Sequence, residues 1–233
     1  MSVLYVRTDL SLDCTIYQNL VAMEGGNIDD YIRQLSQFLK DRDDRLNEEI
    51  SKMETVSWTE IPAGLFENVG TFLSNNTNKT IHNALFVMSI SFFEWAIVEL
   101  CRLLAIYIKD DFLAFKGKGQ GIFKAKNYLK EKLDLSIGGN SDWQLFTDNH
   151  AIRNLIVHNG SNIIKDYSKG LNEQPDEDTF KRNKEYFEYT ETGFIFILKM
   201  RYIIDSHSIA KSFIQQCLKD VLIELAKRND TKQ

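Results

Sequence analysis

The chain has 233 residues, 43% of them hydrophobic, which is ordinary for a soluble globular protein and sufficient for one domain with a sizeable core. Its formal net charge of -5 excludes a surface that is basic throughout, so any contact with nucleic acid has to rely on a local cluster of basic side chains. The three cysteines show no metal-ligand spacing, and no zinc, phosphate-loop or dinucleotide motif occurs. We therefore expect no metal and no cofactor.

The N-terminal residues 1–26 show no clean hydrophobic period and end in two glycines, Gly25 and Gly26. We expect them to form a short strand or an arm packed on the rest of the protein. From Asn27, a good N-cap residue, the pattern changes and predicts a helix that continues to about residue 56. The apolar residues that mark its buried stripe are Ile32, Leu35, Leu39, Leu46, Ile50 and Met53.

A break is predicted around Pro62, followed by a short helix over residues 65–73 and a polar turn over residues 74–79. A long apolar helix is then predicted from about Thr80 to about Lys109.

The most apolar run of the chain, residues 84–108, is long enough to cross a bilayer. It also carries Glu94, Glu99 and Arg102 near its centre, where a charge is costly in lipid. We expect this helix to be buried inside a helical bundle and the protein to have no membrane contact. The N-terminal residues lack the basic-then-apolar profile of a signal peptide, so we expect a cytoplasmic protein.

A glycine- and lysine-rich loop is predicted over residues 116–121, before a helix over residues 122–133. Lysines recur through the loop and the first turns of this helix. One interpretation is a local track for RNA phosphates, and the alternative is a solvated helix face with a flexible loop. The candidate RNA-binding lysines are Lys116, Lys118, Lys124 and Lys126.

The last part of the chain changes character. Residues 165–184 are polar and predict a loop, whereas residues 185–204 are rich in aromatic and β-branched residues and predict a β-hairpin. A final helix is predicted over residues 205–228. The fold class expected is therefore mainly all-α, an up-and-down helical bundle with a small β-hairpin insertion before the C-terminal helix. In this scheme the N-terminal arm covers residues 1–26, and a single helical domain covers residues 27–233.

The helix predicted between Gly138-Gly139-Asn140 and Gly160 ends in an unusual cluster of polar residues. Arg153, Asn154 and His158 all lie in its final six residues. An arginine that stays charged then lies beside a side chain that titrates near neutrality. These are the groups required to cleave an RNA phosphodiester without a metal, because one holds the phosphate charge and the other moves protons.

On a helical wheel, His150, Asn154 and His158 share one face, which we expect to point away from the core of the subunit. Trp143 and Phe146 fall near the same face, where they are expected to line an interface or to stack on a base. The side chains expected on the opposite, buried side are Ile152, Leu155 and Ile156.

A purely structural interpretation of the same residues stays open. Arg153 can pair with a buried carboxylate such as Glu94, and His158 can bind the last carbonyl groups of its own helix. The spacing is also a weak signal by itself, because Arg201 and His207 repeat it. We discount that second pair because it straddles the predicted junction between strand and helix.

The run from Arg153 to Gly160 resembles the signature of the HEPN superfamily, in which an arginine, a polar residue and a histidine end a late helix of a bundle. Two other segments are similar to parts of that family. Ser91–Trp95 resembles the acid-bearing long helix, and Gly119–Leu129 with the following Trp143 resembles the segment before the signature helix. The resemblance covers roughly residues 80–164.

This resemblance implies that Arg153 and His158 are the catalytic pair and that Asn154 orients them or contacts the phosphate. Glu94 and His150 are the supporting candidates. It also implies a metal-independent endoribonuclease with an RNA substrate, in which a homodimer brings two copies of the site together. A toxin or antiviral defence effector would have an antitoxin or another defence-system protein as partner.

Some HEPN toxins carry a tyrosine two residues after the histidine, and a partner enzyme modifies that tyrosine. Here the position is Gly160, so silencing by that route is not expected. The alternatives in other classes are a non-catalytic module that binds nucleotides or proteins, and a structural helical subunit of a larger complex.

Overall fold

The structure is a computed structural model that carries side chains. It describes residues 10–54, 63–117, 119–137, 141–158, 184–189, 195–197 and 199–230. Over these ranges the protein is mostly helical, which confirms the expected all-α class.

Five α-helices and two short strands make up the secondary structure of the described ranges. A single 3-10 turn, Lys184–Tyr186, directly precedes the first strand. The helices are α1 (Leu10–Glu54), α2 (Ala63–Ile108), α3 (Gly121–Leu133), α4 (Ser141–His158) and α5 (Met200–Asp230), and the strands are β1 (Phe187–Tyr189) and β2 (Ile195–Ile197).

The chain divides into two compact units. Unit 1 comprises Met1–Asn27, Ser89–His150 and Ser206–Gln233. Unit 2 comprises Ile28–Met88 and Ala151–Asp205. The helices α1, α2, α4 and α5 therefore each contribute one part to unit 1 and another part to unit 2.

The core of unit 1 is rich in aromatic side chains. Trp143 and Phe146 of α4 are buried and pack on Phe213 of α5, with ring centroids 5.8 Å and 5.2 Å from it. The expectation that Trp143 and Phe146 line an interface or stack on a base is therefore wrong. Burying each of these large rings stabilises the unit by on the order of 2 kcal/mol. This gain explains why the two rings lie in the core although a polar face of the helix is close by.

The helix α1 begins at Leu10, so the short strand expected as one alternative for residues 1–26 is wrong for residues 10–26, as is the helix start expected at Asn27. Tyr17 and Val21 are buried, and the Tyr17 hydroxyl donates a 2.6 Å hydrogen bond to the carbonyl oxygen of Ala96. Gly25 is buried, and a Cβ at this position would lie in ordinary van der Waals contact with Phe92 and Lys211. A glycine inside a helix lowers the stability by only about 1 kcal/mol. The tertiary contacts therefore outweigh the chain break that the Gly25-Gly26 pair predicts.

The helix α2 is continuous from Ala63, so the turn predicted over residues 74–79 is absent. Asn78 lies instead on the helix surface, where its amide binds two side chains of α1. Arg42 Nη2 donates to Asn78 Oδ1 at 2.8 Å, and Asn78 Nδ2 donates to Asp43 Oδ2 at 3.1 Å. The polar residue that suggested a turn thus satisfies its hydrogen bonds within unit 2.

Part of α2 is long and apolar enough to cross a membrane, judged by length and composition alone. This stretch is Asn78–Ile108, and its most apolar window of 18 residues has a mean hydropathy of 1.8 and is half buried inside the protein. It carries the partly exposed ion pair between Arg102 Nη1 and Glu99 Oε2 at 3.0 Å.

The predictions for α3 and α4 are confirmed almost to the residue, since α3 spans Gly121–Leu133 and α4 spans Ser141–His158. Asp134 closes α3 in the left-handed conformation, and its N–H donates to carbonyl groups of the last turn. The residues expected to interrupt the chain before α4 and to end it, residues 138–140 and Gly160, lie outside the described residues.

In unit 2, β1 pairs with β2 in antiparallel register, with Phe187 opposite Ile197 and Tyr189 opposite Ile195. Residues 190–194 lie outside the described residues, so the hairpin connection stays a prediction. The helix α5 begins at Met200, five residues before the predicted start at Asp205.

Candidate functional site

The end of α4 carries the three residues expected to be catalytic, and all three belong to unit 2. The apolar side of this segment is buried as predicted, with Ile152 and Leu155 in the interior and Ile156 half-buried. That burial fixes the rotation of the helix, which places Arg153 and Asn154 at intermediate exposure and leaves His158 exposed at the last residue. The helix therefore presents a cation and a titratable imidazole within two turns of each other.

Arg153 and Asn154 are in direct contact. Arg153 Nη1 donates a hydrogen bond of 2.7 Å to Asn154 Oδ1. Neighbouring residues of a helix do not face each other, so the long arginine side chain bends along the helix surface to reach the amide. A guanidinium has five N–H donors in a fixed plane, and Asn154 engages one of those of Arg153. The orienting role expected for Asn154 stays a prediction.

His150 and Glu94 form a second pair, which lies in unit 1. His150 Nε2 lies 3.3 Å from Glu94 Oε1, and the two side chains are 11% and 23% exposed. The ring of Phe123 meets the His150 imidazole edge-on at 6.1 Å between centroids. The expectation that His150 points away from the core of the subunit is therefore wrong, because the carboxylate of α2 and an aromatic ring of α3 hold it inward.

Glu94 also lies directly against Gly121, the first residue of α3. A Cβ at this glycine would collide with Glu94 Oε1, and the glycine has a positive φ of 53°. The carboxylate is thereby placed beside the N-terminus of α3, where the helix dipole favours a negative charge. This contact gives Glu94 a structural role in unit 1, and its supporting role in catalysis stays a prediction.

Two of the four candidate RNA-binding lysines, Lys124 and Lys126, are held by local contacts. Lys124 Nζ donates to the carbonyl oxygen of Leu113 at 3.0 Å and lies 5.0 Å above the centre of the Phe112 ring. Lys126 Nζ lies 4.7 Å above the centre of the Trp143 ring. Lys116 is exposed, and Lys118 lies outside the described residues. A common phosphate track along these lysines stays a prediction.

The second arginine–histidine pair differs from the expected position, because both residues lie inside α5 and neither lies at its junction with the strand. In unit 2, Arg201 is exposed and its Nε lies 2.8 Å from Asp205 Oδ2. In unit 1, His207 is 1% exposed, and its Nδ1 lies 2.8 Å from the Ser89 hydroxyl oxygen. Burial thus distinguishes His207 from His158, although the sequence spacing does not.

Sequence reasoning missed a polar contact between α2 and β2 in unit 2. His82 Nδ1 lies 2.9 Å from the carbonyl oxygen of Ile197, and the N–H of Ile197 donates to Asn83 Oδ1 at 3.2 Å. Burial lowers the pKa of His82, against the opposing effects of the Ile197 hydrogen bond and of Asp43. A histidine followed by an asparagine on an apolar helix was the available signal.

Two buried thiols of unit 1 are chemically inert. Burial raises the pKa of Cys217 to about 12 and raises that of Cys101 further. Both cysteines pack in the hydrophobic core, as expected of small core residues. Among the residues that the structure describes, no three His, Cys, Asp or Glu side chains are grouped so as to hold a metal ion.

Comparisons of the chain with known protein families, with curated proteins and with solved structures gave no match. The site is therefore defined by its own residues. It consists of the Arg153–Asn154 contact and the exposed His158 at the end of α4.

Proposed function

We propose that the protein is a metal-independent endoribonuclease of the HEPN type, with an α-helical bundle, a small β-hairpin and a site at the end of α4. The observation that carries the proposal is the 2.7 Å contact between Arg153 and Asn154, with His158 exposed in the next turn of the same helix. This arrangement offers an oriented, permanent cation together with an accessible proton-transfer group.

The reaction proposed is transesterification within the RNA strand. A base removes the proton of a ribose 2′-hydroxyl, and the 2′-oxygen then forms a bond to phosphorus. The bond between phosphorus and the 5′-oxygen breaks, and an acid returns a proton to that leaving oxygen. The products are a 2′,3′-cyclic phosphate and a 5′-hydroxyl, and Arg153 stabilises the additional negative charge on the phosphate oxygens.

Two proton transfers are required in each turnover, and one exposed histidine per chain supplies one group. A two-fold homodimer that brings two α4 ends together supplies two copies of His158 and two of Arg153. We therefore propose a composite site at a dimer interface. A toxin or antiviral effector in a bacterial cytoplasm, neutralised or triggered by a partner protein, is the biological role that suits such an activity.

The test is cleavage of total RNA in EDTA by the wild-type protein and by His158→Ala, with the new ends typed chemically. We expect cyclic-phosphate ends from the wild type and a loss of about 100-fold or more in the variant. His207→Ala is unsuitable as a control because His207 is buried, whereas Arg228→Ala changes an exposed side chain of α5 and should keep full activity. Equal cleavage by wild type and His158→Ala would refute the proposed role of His158.

A second candidate is a module that binds nucleotides or a partner protein without cleaving RNA. The net charge of -5 favours this reading, because RNA-binding surfaces are usually basic. Folded, dimeric wild-type protein that retains RNA but leaves it intact in the same assay would support the module over the enzyme.

A further inference from the structure

Unit 2 contains a stack of three aromatic rings that runs from its interior to its surface. Phe86 of α2 is fully buried and lies 5.7 Å from the ring of Tyr202, at an interplanar angle of 23°. Tyr202 in turn stacks on Tyr186 at 5.1 Å and 30°, and Tyr186 is partly exposed. The outermost ring is therefore supported from below by two others.

The middle ring of the stack is held from a third side as well. Phe187 of β1 meets Tyr202 edge-on at 5.1 Å, and Tyr202 is itself 6% exposed. The carboxylate of the neighbouring Glu185 raises the pKa of the Tyr186 hydroxyl. A ring supported by such a stack loses little conformational freedom when a planar ligand stacks on it.

Charged side chains of both signs lie near the outer ring. Lys199 is exposed, and its Nζ lies 5.6 Å above the centre of the Tyr186 ring. Arg201 follows two residues later, and its side chain is 75% exposed beside Asp205. A lysine on a flexible stem can move from the ring to a nearby phosphate when another group takes its place over the aromatic face.

We propose that Tyr186 is a stacking platform for an unpaired base of single-stranded RNA, with Lys199 binding the adjacent phosphate. The chemistry favours this ligand because proteins hold single strands by combining a partly exposed aromatic ring with a nearby cation, as Tyr186 and Lys199 do here. The inference deepens the proposed function and rests on it for the choice of RNA. It concerns binding, and it makes no use of the catalytic residues.

The experiment measures the binding of a labelled, unstructured RNA 12-mer in EDTA, on a background of His158→Ala, which removes cleavage. Tyr186→Leu keeps an apolar side chain without the ring, and Tyr186→Phe keeps the ring without the hydroxyl. Tyr31→Leu is the matched control, because Tyr31 is an exposed tyrosine of unit 2 on α1. Circular dichroism and thermal unfolding verify that each variant is folded.

We expect Tyr186→Leu to weaken binding about fivefold to 100-fold, the range typical of one lost base–aromatic stack. Tyr186→Phe and Tyr31→Leu should bind as the parent does. Lys199→Ala should lower the slope of log affinity against log salt by about one unit. An RNA duplex of the same length should be insensitive to Tyr186→Leu, because its bases are already stacked.

Equal binding by Tyr186→Leu and its parent, or weakening by Tyr31→Leu of the same size, would overturn the platform. So would a folded parent that binds no single-stranded RNA. These outcomes are separable from the enzymatic proposal. A protein that binds RNA through Tyr186 but does not cleave it would support the stacking platform and contradict the endoribonuclease. Cleavage by a protein whose RNA binding does not depend on Tyr186 would support the endoribonuclease and contradict the platform.

Discussion

At the scale of single residues, the contact between Arg153 and Asn154 decides how the guanidinium is presented. The amide oxygen of Asn154 accepts one N–H at 2.7 Å and thereby holds a planar, forked cation in one orientation. A lysine at the same position retains the positive charge but has neither the plane nor the fork. Charge alone and oriented charge can therefore be distinguished by one substitution.

We predict that Arg153→Lys lowers the rate of RNA cleavage about 100-fold, because an oriented donor to the phosphate is lost. The measurement is the initial rate on one RNA substrate in EDTA. Arg33→Lys is the matched control, since Arg33 is an exposed arginine of the same unit, paired with Asp30 at 3.0 Å. Wild-type rates for Arg153→Lys would show that charge alone suffices or that Arg153 has no part in the reaction.

Two glycines differ sharply in what a methyl group would meet. At Gly121 an added Cβ collides with Glu94 Oε1 in a residue whose φ is 53°, whereas at Gly26, inside α1, it meets nothing within 4 Å. We predict that Gly121→Ala lowers the free energy of unfolding by about 1–3 kcal/mol. Gly26→Ala should raise it by about 0.5–1 kcal/mol. Urea denaturation of both variants tests this, and two effects of the same sign would contradict it.

At the scale of elements, the side chains of His82 and Asn83 fasten α2 to β2 through the two backbone groups of Ile197. The carbonyl oxygen can only accept, so His82 Nδ1 carries the hydrogen of this contact. Burial penalises the charged form and holds the pKa of His82 below its usual value. Protonation therefore weakens the docking of β2 on α2.

The lowered pKa of His82 determines how the stability of the fold depends on pH. A histidine whose pKa is lowered in the folded state contributes its full stability above about pH 6.5, the pKa of the unfolded chain, and loses it as the pH falls toward the folded value. We predict that the free energy of unfolding drops more steeply between pH 7 and pH 5 in the wild type than in His82→Asn. Urea denaturation across this range measures both slopes, and parallel slopes would contradict the assignment.

The elements also show where local sequence signals are sufficient and where they fail. The bounds of α3 and α4 were predictable because glycines flank both helices and α3 carries a clear apolar stripe. The start of α1, the continuity of α2 and the start of α5 were not, since Gly25-Gly26, residues 74–79 and residues 200–204 all carry local signals for breaks or strands. Tertiary burial outweighs such preferences, which amount to about 1 kcal/mol per residue.

At the scale of the whole molecule, the proposed composite site makes a prediction about mixed dimers. Because the proposed site needs the His158 of both subunits, a mixed dimer of wild-type and His158→Ala chains keeps one of its two proton-transfer groups and should be inactive. We predict that an equimolar mixture of the two proteins, unfolded together and refolded, cleaves RNA at about a quarter of the rate of the same amount of wild-type protein.

That quarter is statistical, because about a quarter of the dimers then carry both copies of His158. The unmixed proteins, taken through the same refolding, are the controls. About half of the wild-type rate from a mixture shown by mass to contain mixed dimers would mean that each chain acts with its own His158 alone.

The candidate site was predictable only in part, and the histidines show why. The helical wheel placed His150, Asn154 and His158 on one face and treated them as a group. The structure holds His150 against Glu94 at 3.3 Å, whereas His158 is exposed. A helical wheel describes one helix, whereas the burial of each position depends on the side chains that neighbouring helices place against it. At His150 that side chain is a carboxylate of α2.

The sequence by itself determined the mainly helical class, the extent of α4 and the identity of its arginine, asparagine and histidine. These features depend on periodicity, helix boundaries and residue chemistry within short segments. Only the tertiary structure decided that Trp143, Phe146 and His207 are core residues. It alone also showed that Glu94 lies against Gly121 and His150 and that Tyr186 is the outer ring of a stack. Those outcomes depend on contacts between residues far apart in the chain, whose burial energies exceed local preferences and leave no local pattern to read.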